Sequence, residues 1–190
     1  MGVALAACMH PGDVVRLVGE LGAGKTALVR GIASGLETLV QVSSPTFVVI
    51  NVYQCQSDDI QELIHIDAYR VADPDELANV GWDHLFDPST RAPRTKPVAR
   101  AAVIEWPARI EGALPEMAQC ATVTLSHAGT EDRHIVIELP ESWRSRAGVH
   151  ELLNRPPILC PVTQVWVAPT AKHYPFANKR AKDADLFRWL

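Results

Sequence analysis

Apolar residues in this chain gather in short runs, each bounded by Gly, Pro or Asp. Asp13-Val-Val-Arg-Leu-Val18, opened by Pro11-Gly12 and closed by Gly19, predicts a buried strand. Lys25 to Leu36 follows with Leu28, Ile32 and Leu36 at helical spacing, and Gly35 marks its stop. Phe47 to Tyr53 is rich in β-branched residues and predicts a strand, as does Leu63-Ile-His-Ile66. Asp73-Pro74-Asp75-Glu76 has the chemistry of a helix start: an N-cap, a first-turn proline and a capping-box acid. Ala101 to Ile104 is a further strand, and Val123–Leu125 with Ile135–Ile137 predict a late antiparallel pair. Strands alternating with helices indicate an α/β fold, a central sheet with flanking helices.

Two stretches break the pattern. Residues 87–100 hold three prolines and four basic residues against one acid, Asp87, and predict a mobile loop. Residues 140–157 pass through Pro140, Gly148, Pro156 and Pro157 and predict a linker with a helical turn at Val149–Leu153. The 190 residues thus divide into a main domain over 1–144, a linker over 145–157 and an appendage over 158–190. Charge supports that division. Residues 1–155 carry 13 Lys and Arg against 20 Asp and Glu, whereas residues 156–190 carry 5 against 2. An acidic main domain argues against tight binding of nucleic acid by this chain alone. Four scattered cysteines without a C-x-x-C pair predict reduced thiols in a cytoplasmic protein, and no apolar run is long enough to span a membrane. Leu5-Ala-Ala-Cys8 imitates a lipoprotein cleavage box, but no basic residue precedes it and its apolar stretch is too short for a signal peptide.

Gly19-Glu20-Leu21-Gly22-Ala23-Gly24-Lys25-Thr26 fits G-x-x-x-x-G-K-[ST], and it follows a predicted strand and opens a predicted helix. Glycines let backbone N–H groups converge on phosphate oxygens, and the helix start adds its positive end. Lys25 is placed to reach the β- and γ-phosphates of a nucleoside triphosphate, and the Thr26 hydroxyl to meet Mg²⁺. Three later segments offer the remaining parts. In Ser44-Pro45-Thr46-Phe47, Thr46 reads either as a turn residue or as a switch whose hydroxyl meets the γ-phosphate. In His65-Ile-Asp67-Ala-Tyr69-Arg70, alternation puts His65, Asp67 and Tyr69 on one side. Asp67 there reads as a strand-end carboxylate facing a ligand crevice or as a surface partner of Arg70. In Val103-Ile104-Glu105-Trp106-Pro107, Glu105 follows an apolar strand, where a carboxylate holds Mg²⁺ and orients water. The other reading of Glu105 is an exposed strand end, and Trp106 reads as core, rim or adenine contact.

GELGAGKT, SPTF, HIDAYR and IEWP, in this order, resemble the TsaE family, bacterial ATPases that assist threonylcarbamoyladenosine modification of tRNA. The resemblance covers about residues 10–140. It implies a P-loop NTPase-like sheet in which the loop, Lys25 and Thr26 bind ATP. Glu105 joins Thr26 on Mg²⁺, Asp67 supports hydrolysis, Thr46 lies in a nucleotide-responsive loop, and Arg133 lies near the nucleotide. It also implies TsaD and TsaB as partners, with tRNA met only through them. The family usually has a further segment before the first strand, walling the adenine pocket. This chain begins almost at that strand, so its wall is expected to differ or its true start to lie upstream. A small-molecule kinase with Arg91–Arg100 as a phosphate lid is the alternative use of the same loop.

The tail is similar to the YacG family, small zinc proteins reported as DNA gyrase inhibitors. That pattern sets C-x₂-C before C-x₃-C, then Asp-Leu and a terminal Trp; here Cys160 keeps its place while Thr163, Ala177 and Ala181 fill the others. Structural zinc requires four N or S ligands, so no zinc is expected, and contact with gyrase through the tail is not expected either. The third functional alternative is a binding module acting through this basic tail.

Overall fold

The computed structural model describes residues 1–43, 50–71, 98–114, 116, 119–129 and 132–186. The Ser44–Phe47 segment with Thr46, the helix start at Asp73 and residues 87–97 of the basic loop lie outside the described residues.

The chain opens with α1 (Gly2–Ala6), then β1 (Val14–Gly19) and α2 (Lys25–Gly35). Strands β2 (Ile50–Gln54), β3 (Glu62–Asp67), β4 (Arg100–Glu105), β5 (Ala121–His127) and β6 (Arg133–Glu138) complete one sheet in the order β2-β3-β4-β1-β5-β6. The four inner strands β3, β4, β1 and β5 run parallel, and β2 and β6 close the edges antiparallel. This is the expected α/β arrangement, including the late hairpin.

Parallel strands bury both faces, which explains their nearly continuous apolar sequences. On one face, Val15 and Leu17 of β1 meet Leu63, Val103, Val123 and Leu125 beneath Leu28, Val29 and Ile32 of α2. The other face joins Val14, Ile64, Ile66, Ala102 and Ile104 to Ile110, which lies in the 3-10 segment Pro107–Ala113. Residues of alternate parity thus serve two separate layers.

The structure adds α1, which carries no helical signal in its residues. A Cβ on Gly2 would lie 2.7 Å from the Gly31 backbone, so α1 crosses α2 at a separation that only glycine permits. Residues 145–157, read as a linker with a helical turn at Val149–Leu153, do contain a helix there, α3 (Val149–Asn154), and its Val149 and Leu152 join the main core beside fully buried Trp143. Each such aliphatic side chain adds about 1.5–3 kcal/mol by leaving water. Arg146 fixes the segment further, pairing with Asp13, donating to the Cys8 carbonyl at 3.1 Å and lying over the Trp143 ring. Beyond it, β7 (Ile158–Leu159) and β8 (Trp166–Val167) form a short hairpin, and α4 (Lys179–Leu186) follows. Cys160, Val167 and Ala181 make a small cluster of their own. Among the described residues, no helix is long and apolar enough to cross a membrane.

Candidate functional site at the phosphate loop

Strand order brings the motifs together. Because β4 lies between β1 and β3, Glu105 stands beside Leu17 at the end of β1, and Asp67 is in register with Glu105. All three strands end on the side where the chain turns from β1 into α2. Open parallel sheets bind ligands at this end of their strands.

The turn itself is shaped by glycine. Gly19 has φ of +153°, and a Cβ there would come within 2.4 Å of the Leu125 carbonyl oxygen. Gly24 caps α2 without a side-chain hydrogen bond, which suits a helix start whose amides serve a ligand. Lys25 is 4% exposed, and its Nζ donates to the Gly19 and Glu20 carbonyls at 2.8 Å each. The same ammonium lies 3.8 Å from the centroid of the Trp106 ring. Burial pushes the Lys25 pKa down, against the pull of the Glu105 and Asp67 carboxylates. Among the described residues the ammonium is held directly by two carbonyls and a ring, with the carboxylates acting on it at longer range, which is an electrostatic setting a polyphosphate would relieve.

Thr26 and Glu105 meet across 79 residues of sequence. Thr26 Oγ1 donates to the carboxylate, 2.9 Å from Oε1 and 3.2 Å from Oε2. A hydroxyl and a carboxylate side by side are hard oxygen ligands of the type Mg²⁺ takes through one or two carboxylates plus phosphate oxygens. The donor set fits that ion. Glu105 is buried, and its Oε1 also lies 2.9 Å from Nε2 of fully buried His65. Asp67 caps the short 3-10 turn Ala68–Arg70, accepting from the Tyr69 amide at 3.1 Å. Burial raises its pKa, the Tyr69 amide lowers it, and the Glu105 charge raises it again.

Arg133, first in β6, bridges back to the loop: Nε donates to the Ala23 carbonyl at 3.2 Å and Nη2 to Gly22 at 3.4 Å. Lys25, Thr26, Asp67, Glu105 and Arg133 are thus gathered around one loop, while Thr46 lies outside the described residues. Two participants had no assigned role in the sequence. His65 was legible as a neighbour of Asp67 by alternation, but nothing local announced its bond to Glu105. Trp106, left between three fates, forms a lid over Lys25. Its backbone is left-handed (φ 59°, ψ 47°), and its ring lies 4.9 Å from that of Tyr69.

In the tail, Cys160 Sγ accepts from the Thr163 amide at 3.4 Å. Burial acts to raise this thiol, and hydrogen bonds from the Thr163 side chain and the Ala177, Thr163 and Val162 amides outweigh it, bringing the pKa to about 7. Among the described residues no group of three His, Cys, Asp or Glu side chains is arranged to hold a metal.

A mostly parallel sheet with the glycine-lysine-threonine loop between its central strand and a helix, and carboxylates at the ends of the adjoining strands, defines an α/β protein of P-loop NTPase-like fold. Comparison with known proteins narrows this. The profile of the family described as Threonylcarbamoyl adenosine biosynthesis protein TsaE matches residues 1–135, and the chain belongs to that family. The protein named tRNA threonylcarbamoyladenosine biosynthesis protein TsaE in Bacillus subtilis is 35% identical over 130 residues, covering 68% of this chain and 72% of its own. Its namesake in Streptomyces coelicolor is 37% identical over 150 residues, 75% of this chain and 91% of that one. The crystal structure of Bacillus subtilis YdiB superposes with a TM-score of 0.50 at 29% identity, covering 72% of this chain and 74% of that one.

Proposed function

We propose that this chain is a Mg²⁺-dependent ATPase that acts in the cytoplasm as an accessory of the machinery making threonylcarbamoyladenosine at position 37 of tRNA. Family membership supports the pathway. The observation that carries the chemistry is the contact of the Thr26 hydroxyl with Glu105 at 2.9 Å, one residue from the buried ammonium of Lys25.

In this reading Lys25 exchanges the carbonyls of Gly19 and Glu20 for the β- and γ-phosphate oxygens of ATP. The backbone of residues 19–24 and the start of α2 surround the remaining phosphate oxygens. Thr26 and Glu105 would hold Mg²⁺, and a cation bound there would supply positive charge to offset that of the transferred phosphoryl group. Asp67, on the neighbouring strand, orients the attacking water, and Thr46 reports the γ-phosphate to the surrounding loop. Arg133 steadies the loop through Gly22 and Ala23 rather than reaching past it.

The partners are homologues of TsaD and TsaB, and tRNA is met through them, in keeping with the acidic main domain. A name given for tRNA modification, carried by relatives across most of the chain, weighs against the small-molecule kinase. The tail carries no zinc: Thr163, Ala177 and Ala181 leave Cys160 as its sole thiolate. Co-purification tests the assignment. The chain should be retained by a tagged TsaD–TsaB pair with ATP and Mg²⁺ and lost with EDTA. Retention independent of nucleotide, or none in either buffer, refutes it.

A further inference from the structure

His65 is an unusual occupant of its position. It is fully buried in β3 beside Val103 of β4, on the face that packs against α2. Its Nε2 meets Glu105 Oε1 at 2.9 Å, while its Nδ1 is buried without a hydrogen-bond partner among the described residues. An ionised carboxylate oxygen only accepts, so the shared proton belongs to Nε2. Leaving a buried nitrogen bare is costly, a penalty that Leu or Val would avoid at a site of pure packing. The cost is borne on the ring that touches the buried carboxylate.

We propose that His65 is a positioning residue for Glu105: its Nε2–H pins Oε1, so that the carboxylate keeps the orientation in which it and the Thr26 hydroxyl together receive Mg²⁺. Two donors already converge on Oε1, Thr26 at 2.9 Å and His65 at 2.9 Å, whereas Oε2 has the longer Thr26 contact of 3.2 Å. When Thr26 turns a lone pair toward a metal ion, its hold on Oε1 changes, and the imidazole remains as the fixed donor. Without it Glu105 is free to rotate toward the Lys25 ammonium, whose charge it already feels. Tyr53, its ring 6.4 Å away and inclined by 27°, helps hold the imidazole plane. Partners behind metal ligands act in this way elsewhere, and their loss costs about 10–100-fold in metal affinity.

This inference rests on the nucleotide reading of the loop, and its test separates the two. ATP affinity is measured by titration calorimetry in Mg²⁺ and in EDTA for the unaltered chain, His65→Leu, His65→Gln and His65→Asn. The glutamine amide reaches about as far as Nε2, and the asparagine amide stops near Nδ1. The unaltered chain should gain affinity from Mg²⁺. His65→Leu should lose about 10-fold or more of that gain while its affinity in EDTA stays within about twofold. His65→Gln should restore the gain and His65→Asn should not. An intact gain in His65→Leu, equal losses in both buffers, or equal behaviour of the glutamine and asparagine variants overturns the proposal. Absence of ATP binding by the unaltered chain in both buffers overturns the nucleotide reading itself, and the proposal with it. If the variants do not fold, nitrogen NMR of the unaltered protein decides. An Nε2-protonated ring whose signal moves with Mg²⁺ and ATP, and not with ATP in EDTA, supports the role; an Nδ1-protonated ring or an unmoved signal overturns it.

Discussion

Replacing Lys25 by methionine keeps the length of the side chain and removes its charge, and the structure fixes the sign of two separate effects. Lys25 makes two hydrogen bonds of 2.8 Å to carbonyls and sits over Trp106. Charge-assisted bonds are worth about 1.5–3 kcal/mol each, which taken alone predicts a large loss of stability. Burying an ammonium costs several kcal/mol in the opposite direction. The balance is visible in the pKa, which burial lowers despite the nearby carboxylates, so the charged form is worse placed in the fold than in water. A lysine with a folded pKa below its unfolded one destabilises the fold at all pH values below the folded pKa. That penalty is relieved as pH rises toward the unfolded value. Lys25→Met should therefore leave the melting temperature near pH 7 unchanged or raise it, and should flatten the rise in stability that the unaltered chain shows on the alkaline side. Binding behaves otherwise. Contacts to two phosphates, at about 1.5 kcal/mol or more each, amount to about 3 kcal/mol, or over 100-fold in affinity. Calorimetric titration with ATP and Mg²⁺, beside thermal unfolding from pH 6 to 10, reads both effects. A stable variant that binds ATP within tenfold of the unaltered chain would refute the phosphate role. A fall of more than about 6 °C in melting temperature, about 2 kcal/mol for a chain of this size, would refute the electrostatic balance.

Asp67→Asn should raise the melting temperature at pH 7, because asparagine still caps the Tyr69 amide and the site loses a carboxylate whose pKa burial raises. The folded pKa lies above the unfolded one, so Asp67 adds stability below the unfolded pKa and loses it as pH rises through the folded one; the difference between variant and parent should vanish in acid. Arg146→Ala removes the partner of Asp13 and the cation over Trp143, and should cost about 3 kcal/mol, lowering the melting temperature by about 6–12 °C in a thermal scan. A change below 1 °C would mean that residues 145–157 do not brace the domain. Metal analysis of the untagged protein should find well under one zinc per chain, and a chelator should leave its unfolding curve in place; stoichiometric zinc would contradict the tail's ligand count.

The sequence showed most clearly what is local. The strand-loop-helix at 14–35 is written in consecutive residues, and Glu105 and Asp67 stand out in the sequence because each follows an apolar strand. What escaped depends on distant pairing. Glu105 receives His65 from 40 residues away and Thr26 from 79, and only the order β3-β4-β1 brings them together. The first helix has five residues, no side-chain cap and an interface of glycine on glycine, so it has no amphipathic stripe to read. Gly148, Pro156 and Pro157 punctuate residues 145–157 as a linker would. Yet Val149 and Leu152 pack into the core, because two apolar residues at helical spacing suffice when a buried surface awaits them. Trp106 is legible as an aromatic after a strand, but its left-handed backbone and its place over Lys25 are tertiary facts.

The most direct measurement of the central claim is the formation of threonylcarbamoyladenosine on tRNA together with ADP release, in a mixture containing tRNA, an activated threonylcarbamoyl donor, ATP and Mg²⁺, TsaD and TsaB homologues, and either the unaltered chain or Glu105→Ala. The unaltered chain should release ADP and sustain repeated rounds of modification. Glu105→Ala should bind ATP but lose about 100-fold in ADP release and support no more modification than a mixture lacking the chain. Modification sustained equally by both proteins, or ADP release unaffected by the substitution, would contradict an ATPase built on Thr26 and Glu105.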